Sequence, residues 1–443
     1  MNHPSTTATT RRRCPLSALA TVLALLGPTS TPAQLDPAAT ARGSGLPPQL
    51  AQHLTQLVAR LPPTPRPGRE LAHTVLARLR LGEPAVAASL LARGRALALA
   101  ELATAARDDE AAWLVTAHLW YWRTTADHAG VRATLPALTA LAEAAADALP
   151  PTFAAAARQV LLRWNLATLW DEVASPSLPA GPGRWPATTA ATAPGRRWAA
   201  AAVGYLLELE RQSWQPGQGH FRPRLTAGAL EPPAAFDPAT LEPMRLGLLV
   251  ATGDHMQRHL AGGLAALTAG AVAPACLDDA LAAATQQRDD LARAQWARQA
   301  LADSEPADPA ARLDAWLHAL TGIRLATGPG LDEGWSTLAP WLPPDCDRWQ
   351  LDAVGLHGAR WSLRCGREPG NALRLVVRGG SATAMAHTLV VQRAGQQWVH
   401  ELPLGATFEL QLPAGAPVPD AASRSAPLQP ELQHHAPDTG RPR

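Results

Sequence analysis

Apolar positions in this chain recur at helical spacing from about residue 70 to 325, and at strand spacing after Trp349. Val131, Leu135, Leu138 and Ala142 fall at i, i+4, i+7 and i+11, one face of a helix. Trp113, Ala117 and Trp120 repeat the pattern on the helix before. Asp108, Asp109 and Glu110 lie in its first turn, where carboxylates favour the positive end of the helix. Short junctions recur between helices: Leu81-Gly82-Glu83, Thr125-Ala126-Asp127 and Thr252-Gly253-Asp254. The small residue lets the chain turn, and the acid caps the helix that follows. The acids at 83 and 127 stand 44 residues apart, and those at 127 and 254 stand 127 apart, close to three such units. That period predicts stacked helix pairs, about eleven or twelve helices in all.

Two Pro/Gly-rich stretches, residues 175–195 and 215–238, interrupt the helices. Irregular segments of that length inside a helical domain are either functional loops or surface insertions, and both readings stand. They carry Arg184, Trp185, His220, Phe221, Arg222, Glu231 and Asp237. After Trp349 the period falls to two. Segments 349–354, 360–364, 372–377, 388–392 and 407–412 read as strands punctuated by Gly355, Gly358, Gly379-Gly380 and Gly395. The fold class expected is therefore mainly α, with a small C-terminal antiparallel β module. The organisation reads as a leader at 1–33, a Pro-rich lead-in at 34–69 with one short helix, a helical-hairpin domain at 70–330, the β module at 331–415 and a Pro/Ser/His-rich tail at 416–443.

Composition changes this picture little. The chain has 443 residues, a hydrophobic share of 47% and a net charge of +2, which gives no electrostatic case for a nucleic-acid partner. It has no Lys, one Ile (Ile323), 2 Tyr and 4 Phe, against 15 Trp. Trp can pack its flat face on sugar C–H groups, or replace scarce Phe and Tyr in a core; for any single Trp the core reading carries more weight. Arg11-Arg12-Arg13 followed by the apolar run 16–26 and the small residues around Thr31-Pro32-Ala33 reads as an export signal, by ordinary secretion or the twin-arginine route. That run is too short to span a bilayer, and no later segment reads as a span. Beyond the leader remain Cys276, Cys346 and Cys365, an odd number with no CxxC spacing, which argues against zinc. Cys346 and Cys365 flank the first two strands, and either pair in an oxidising compartment or stay as buried thiols.

Three stretches resemble the six-hairpin glycosidase superfamily, (α/α)6 toroids that include glucoamylase-like and debranching-type enzymes. Residues 121–141, YWRTTADHAGVRATLPALTAL, look like its helix, threonine–small–acid turn and following helix with an early Pro. Residues 248–264, LLVATGDHMQRHLAGGL, are similar to another hairpin. Residues 314–349 look like a final helix and the "L-x-P-x-L-P-x-x-W" approach to a β appendage, matched by Leu338, Pro340, Leu342 and Pro343. Trp349 departs from it, lying six residues after Pro343 rather than three. The resemblance spans about residues 70–415 and implies a divergent (α/α)6 toroid closed by the β module. It also implies two carboxylates across a cleft, one acid and one base, spaced to admit a water.

The carboxylates available for such a pair are Asp171 and Glu172 after an apolar helix, Glu231 and Asp237 in the second long stretch, and Asp127 at the first hairpin turn. Asp171 follows Trp170, and an acid beside an indole can hold its proton more tightly. The plainer reading makes Asp171 and Glu172 a solvated helix end and Asp127 and Asp254 caps. Candidate sugar contacts are Tyr121, Trp122, Arg123, Trp170, Trp185 and His220. No nucleophile elbow, Walker loop, dinucleotide fingerprint or HExxH is present, and no cofactor or metal is expected. His255 and His259 have ligand spacing but no third ligand beside them, and His434-His435 lie in the tail.

Two functions follow. One is an exported carbohydrate-active or carbohydrate-binding protein, a degenerate glycoside hydrolase among its variants. The other is an envelope scaffold of helical repeats that binds protein partners. A toroid bound to sugar gathers Trp and carboxylates at one mouth, whereas a scaffold spreads them through helix contacts.

Overall fold

A computed structural model describes residues 45–101, 108–145, 149–174, 192–225, 236–245, 254–269, 277–286, 290–323, 336–356, 359–379, 387–393, 396–402 and 407–414. The helices alternate between two environments. Arg69–Arg80 (α2), Asp108–Thr125 (α4), Phe153–Ala174 (α7), Leu277–Gln286 (α11) and Pro309–Thr321 (α13) are buried almost all round. They are buried although several carry charges, because neighbouring elements receive those charges: Arg80 pairs with Asp314, and Arg312 with Asp278. Pro48–Ala59 (α1), Pro84–Glu101 (α3), Leu135–Ala144 (α6), Ala193–Ser213 (α8), Asp254–Ala269 (α10) and Asp290–Ala302 (α12) keep exposed positions. In α8 the buried stripe is Trp198, Ala199, Ala202, Leu206 and Leu209, at helical spacing. Glu242–Arg245 (α9) completes the inner set.

The inner helices form a closed ring. α2 packs on α4, α4 on α7, α7 meets α9, α9 meets α11, α11 packs on α13, and α13 returns to α2. Each outer helix precedes an inner one in sequence, so six hairpins make an (α/α)6 toroid, as the sequence resemblance implied. Two half-buried pairs join the ends of the ring: His73 to Asp308 at 2.7 Å and Arg80 to Asp314 at 2.5 Å.

The junctions obey local chemistry. Gly82 has φ 74° and Ala126 φ 52°, the left-handed turn that ends a helix. Asp127 caps the short helix His128–Arg132 (α5) by accepting from the Gly130 N–H at 2.9 Å. Glu83 instead pairs with Arg78 at 2.7 Å, and residues 252–253 lie outside the described residues. The helix expected through Val131–Ala142 is broken into α5 and α6. Pro136 has no N–H and fits only a first turn, so α6 restarts at Leu135. The stretch expected as a loop at 215–238 begins as a hairpin of Trp214–Gln215 (β1) and His220–Phe221 (β2).

The β module has two sheets. Arg348–Leu356 (β4), Ala359–Arg367 (β5), Leu373–Gly379 (β6) and Thr407–Leu412 (β9) run antiparallel in that order. Ser336–Leu338 (β3) pairs in parallel with His387–Arg393 (β7), which pairs antiparallel with Gln396–Leu402 (β8). Their shared core holds Trp349, Trp361, Leu363, Cys365, Leu375, Val377, Leu389 and Val391 and continues into Leu320 and Ile323 at the end of α13. Gly322 (φ 62°) turns the chain there, with Ala339 so close that an added Cβ would lie 2.5 Å from it. The Trp349 indole donates to the Trp341 carbonyl at 2.8 Å, which ties the linker to the sheet. Cys346 and Cys365 are free and buried, so the thiol reading is the one realised. Cys276 lies outside the described residues. Among the described residues no helix is long and apolar enough to cross a membrane.

Candidate functional site

Outer and inner helices alternate antiparallel, so the inner helices all begin at one end of the ring and finish at the other. The expected site residues fall at both ends and do not form one cluster.

At the finishing end, the last turns of α4 and α7 lie side by side. Glu172 accepts from the Trp122 indole N–H at 2.7 Å and from Arg123, in a half-buried ion pair. His128 packs edge-on to Trp122 with ring centres 4.2 Å apart. Tyr121 donates to Asp127 at 3.1 Å, and burial, then the Asp127 charge, raises the phenol pKa. Asp171 accepts from the backbone N–H and the hydroxyl of Thr192, at 3.3 and 3.0 Å. Thr192 itself caps α8 through Gly195. Burial raises the Asp171 pKa against those hydrogen bonds. The indole beside it in sequence points elsewhere: Trp170 donates to Thr139 at 3.0 Å. Gly195 is required because a Cβ there would sit 2.2 Å from the Asp171 carboxylate. Trp122, Arg123 and Glu172 are therefore brought together, and Asp171 holds the entry to α8.

The starting end holds His220 and Asp237. Phe221 stacks on Phe153, the first residue of α7, with ring centres 4.8 Å apart. Asp171 lies 18 residues further along that helix, roughly 27 Å away at 1.5 Å per residue. Asp237 caps the 3-10 turn Pro238–Leu241 by accepting from Ala239 at 2.9 Å. His220 is buried beside Gln215 and Phe236. His259 accepts from the Phe221 N–H at 3.2 Å, and burial pushes its pKa down to about 3. Glu231 and Trp185 lie outside the described residues.

Sequence reasoning missed the charges that meet at this starting end. Arg69, the first residue of α2, pairs with Glu242, the first residue of α9, at 3.0 Å. These helices stand opposite each other in the ring. Arg158 of α7 also pairs with Glu242, and binds both oxygens of Asp109 of α4 at 3.0 Å. Four inner helices thus place two guanidiniums and two carboxylates across the mouth. The Glu242 side chain is 9% exposed, whereas 41% of Arg69 is open to solvent. Gly68-Arg69 and Glu242-Pro243, each a charge at the first turn of a helix after a Pro-rich stretch, are the signals that mark them. Among the described residues no cluster of three His, Cys, Asp or Glu is set to hold a metal.

The described tryptophans do not gather at either end. Of those described, only Trp170, Trp214 and Trp398 are half-buried, in three separate places; the rest are buried.

Among solved structures the chain is similar to a protein described as "Putative kojibiose phosphorylase from human microbiome", with 10% identity and a TM-score of 0.51. The match covers 84% of this chain and 66% of that one, so the chain spans a little under two thirds of its length. At this identity the likeness is one of fold, and it agrees with the six-hairpin resemblance of the sequence. No family model matches the sequence, and no curated protein matches it.

Proposed function

We propose that this chain is an exported carbohydrate-binding toroid whose ligand sits at the ring end where the inner helices begin. The observation that carries the reading is the Arg69–Glu242–Arg158–Asp109 network across that mouth. A carboxylate beside a partly open guanidinium offers an acceptor and a donor side by side, which suits the neighbouring hydroxyls of a sugar. The shared fold supports the substrate class, since the similar structure carries the description "Putative kojibiose phosphorylase". The export signal read from the sequence at residues 1–33 supports export.

Binding is favoured over hydrolysis on geometry. An inverting pair of carboxylates brackets a water. Glu242 and Asp109 bracket the guanidinium of Arg158 instead. Asp171 and Glu172, at the far end and engaged by Thr192, Trp122 and Arg123, share no cleft with them. The burial of most tryptophans in helix contacts favours the second reading, a scaffold for protein partners.

Calorimetric titration of the mature chain with mono- and disaccharides tests the proposal, with Arg69→Gln and Glu242→Gln as variants and Glu172→Gln as the control at the opposite end. Loss of affinity in the first two and not the third is expected. Binding that survives both mouth variants would refute the location, and a protein that takes no sugar would favour the scaffold.

A further inference from the structure

Trp214 packs against the core but, unlike most of the described tryptophans, is only partly buried. It lies in β1, directly after α8, and is half-buried. The ring is fixed on two sides. His255, from the first turn of α10, lies parallel to it with ring centres 4.2 Å apart and planes 21° apart. Phe221 meets it edge-on at 5.0 Å. Glu210, from the last turn of α8, brings one buried carboxylate oxygen to 3.8 Å from the His255 ring nitrogen, and 17% of the Glu210 side chain is open to solvent. The His255 side chain is 42% exposed. The turn 216–219 that follows is open at its glycines: a Cβ on Gly217 or Gly219 would meet nothing within 4 Å.

We propose that Trp214 is a stacking platform for one sugar ring of a neutral glycan chain, with His255 and Glu210 as the polar edge that takes its hydroxyls. An aromatic ring locked in place loses little entropy when a flat apolar face packs on it, and a pyranose offers such a face with hydroxyls around its rim. Trp214 lies between two outer helices, whereas the Arg69–Glu242 pair spans the inner ring. The platform is a second contact for a longer chain. It rests on the carbohydrate reading above and deepens it.

The test is affinity electrophoresis of the mature chain through gels containing neutral α- or β-linked polysaccharide, run beside the small-sugar titration. The wild type is expected to be retarded by at least one polymer. Trp214→Ala should weaken that retention about ten-fold, as removal of a central Trp anchor does, while small-sugar binding at the mouth is kept. Trp214→Phe keeps a flat ring and should retain part of the effect. Thermal melts show whether each variant is folded, and Glu210→Gln, which leaves the ring stack alone, supplies a second reading by weakening retention. Migration of Trp214→Ala like the wild type would overturn the platform even if small sugars bind. So would Phe behaving as badly as Ala in a folded protein, or a wild type retarded by no polymer. Failure of the mouth appears separately, as small-sugar binding indifferent to Arg69→Gln.

Discussion

His118 should make this protein sensitive to mild acid. It lies on the inner helix α4, fully enclosed by the ring. Its Nδ1 lies 2.9 Å from the Leu114 carbonyl and its Nε2 lies 3.4 Å from the Arg95 guanidinium. That environment suits a neutral ring that donates through Nδ1 and accepts through Nε2. Burial, reinforced by the Arg95 charge, lowers its pKa from 6.5 to about 4. The folded value lies below the unfolded one, so the unfolded chain binds the proton first. Stability is unaffected above the unfolded value and falls as the pH drops from 6.5 towards 4. Between pH 7 and pH 5 the two values give a loss of ~2 kcal/mol from this one group. His118→Gln keeps a donor and an acceptor but takes up no proton. Urea unfolding of both proteins at pH 7 and pH 5, followed by far-ultraviolet circular dichroism, isolates the effect, because every other titrating group is common to both. The wild type should lose ~2 kcal/mol more than the variant. Equal losses would refute the argument.

Arg312 is buried and binds Asp278, Asp303 at 2.9 Å and the Ala300 carbonyl at 2.9 Å. Arg312→Ala should cost about 3–5 kcal/mol in urea unfolding by stranding Asp278, and the double variant Arg312→Met with Asp278→Leu should recover most of it. Gly322→Ala should lower stability by about 1–3 kcal/mol, because its positive φ and the contact with Ala339 leave no room for a methyl group; a melting temperature equal to wild type would count against the turn. Cys365 is buried and its pKa is pushed up to about 12, and Cys346 is raised as well. Both thiols should react with a disulfide reagent only on unfolding, and fast reaction of the native protein would contradict their burial.

The residues that could be read in the sequence were those whose neighbours are local. The apolar sides of α4 and α7 marked them as buried, and Asp127 announced its cap because a cap is made within three residues. The strands after Trp349 showed the period of two that β6 keeps in its alternating burial. What could not be read is what the ring brings from afar. Arg163, Arg293 and Arg312 look like surface charges on a helix, yet all three are fully buried: Arg163 is received by Gln159 one turn back and by the Tyr205 hydroxyl, Arg293 by the Thr285 carbonyl, and Arg312 by Asp278 from another helix. Glu242 needed Arg69 and Arg158, 173 and 84 residues earlier in the chain, before it could stand out. Asp171 and Asp237 each had the look of a catalytic acid, but sequence spacing carries no information on which end of a toroid a residue occupies.

The closure of α13 on α2 also bears on how the molecule is made. The pairs that seal it join residues 234 and 235 positions apart, His73 with Asp308 and Arg80 with Asp314. During synthesis α2 emerges long before its last neighbour exists, and it waits with an apolar side uncovered. Contacts of such separation are slow to form, because the chain between them must be ordered before they repay it. The first five hairpins can gather as they appear, but the ring cannot lock until Asp314 has left the ribosome. A nascent chain halted just before α13 would be an open arc with two sticky ends, a natural client for a holding chaperone.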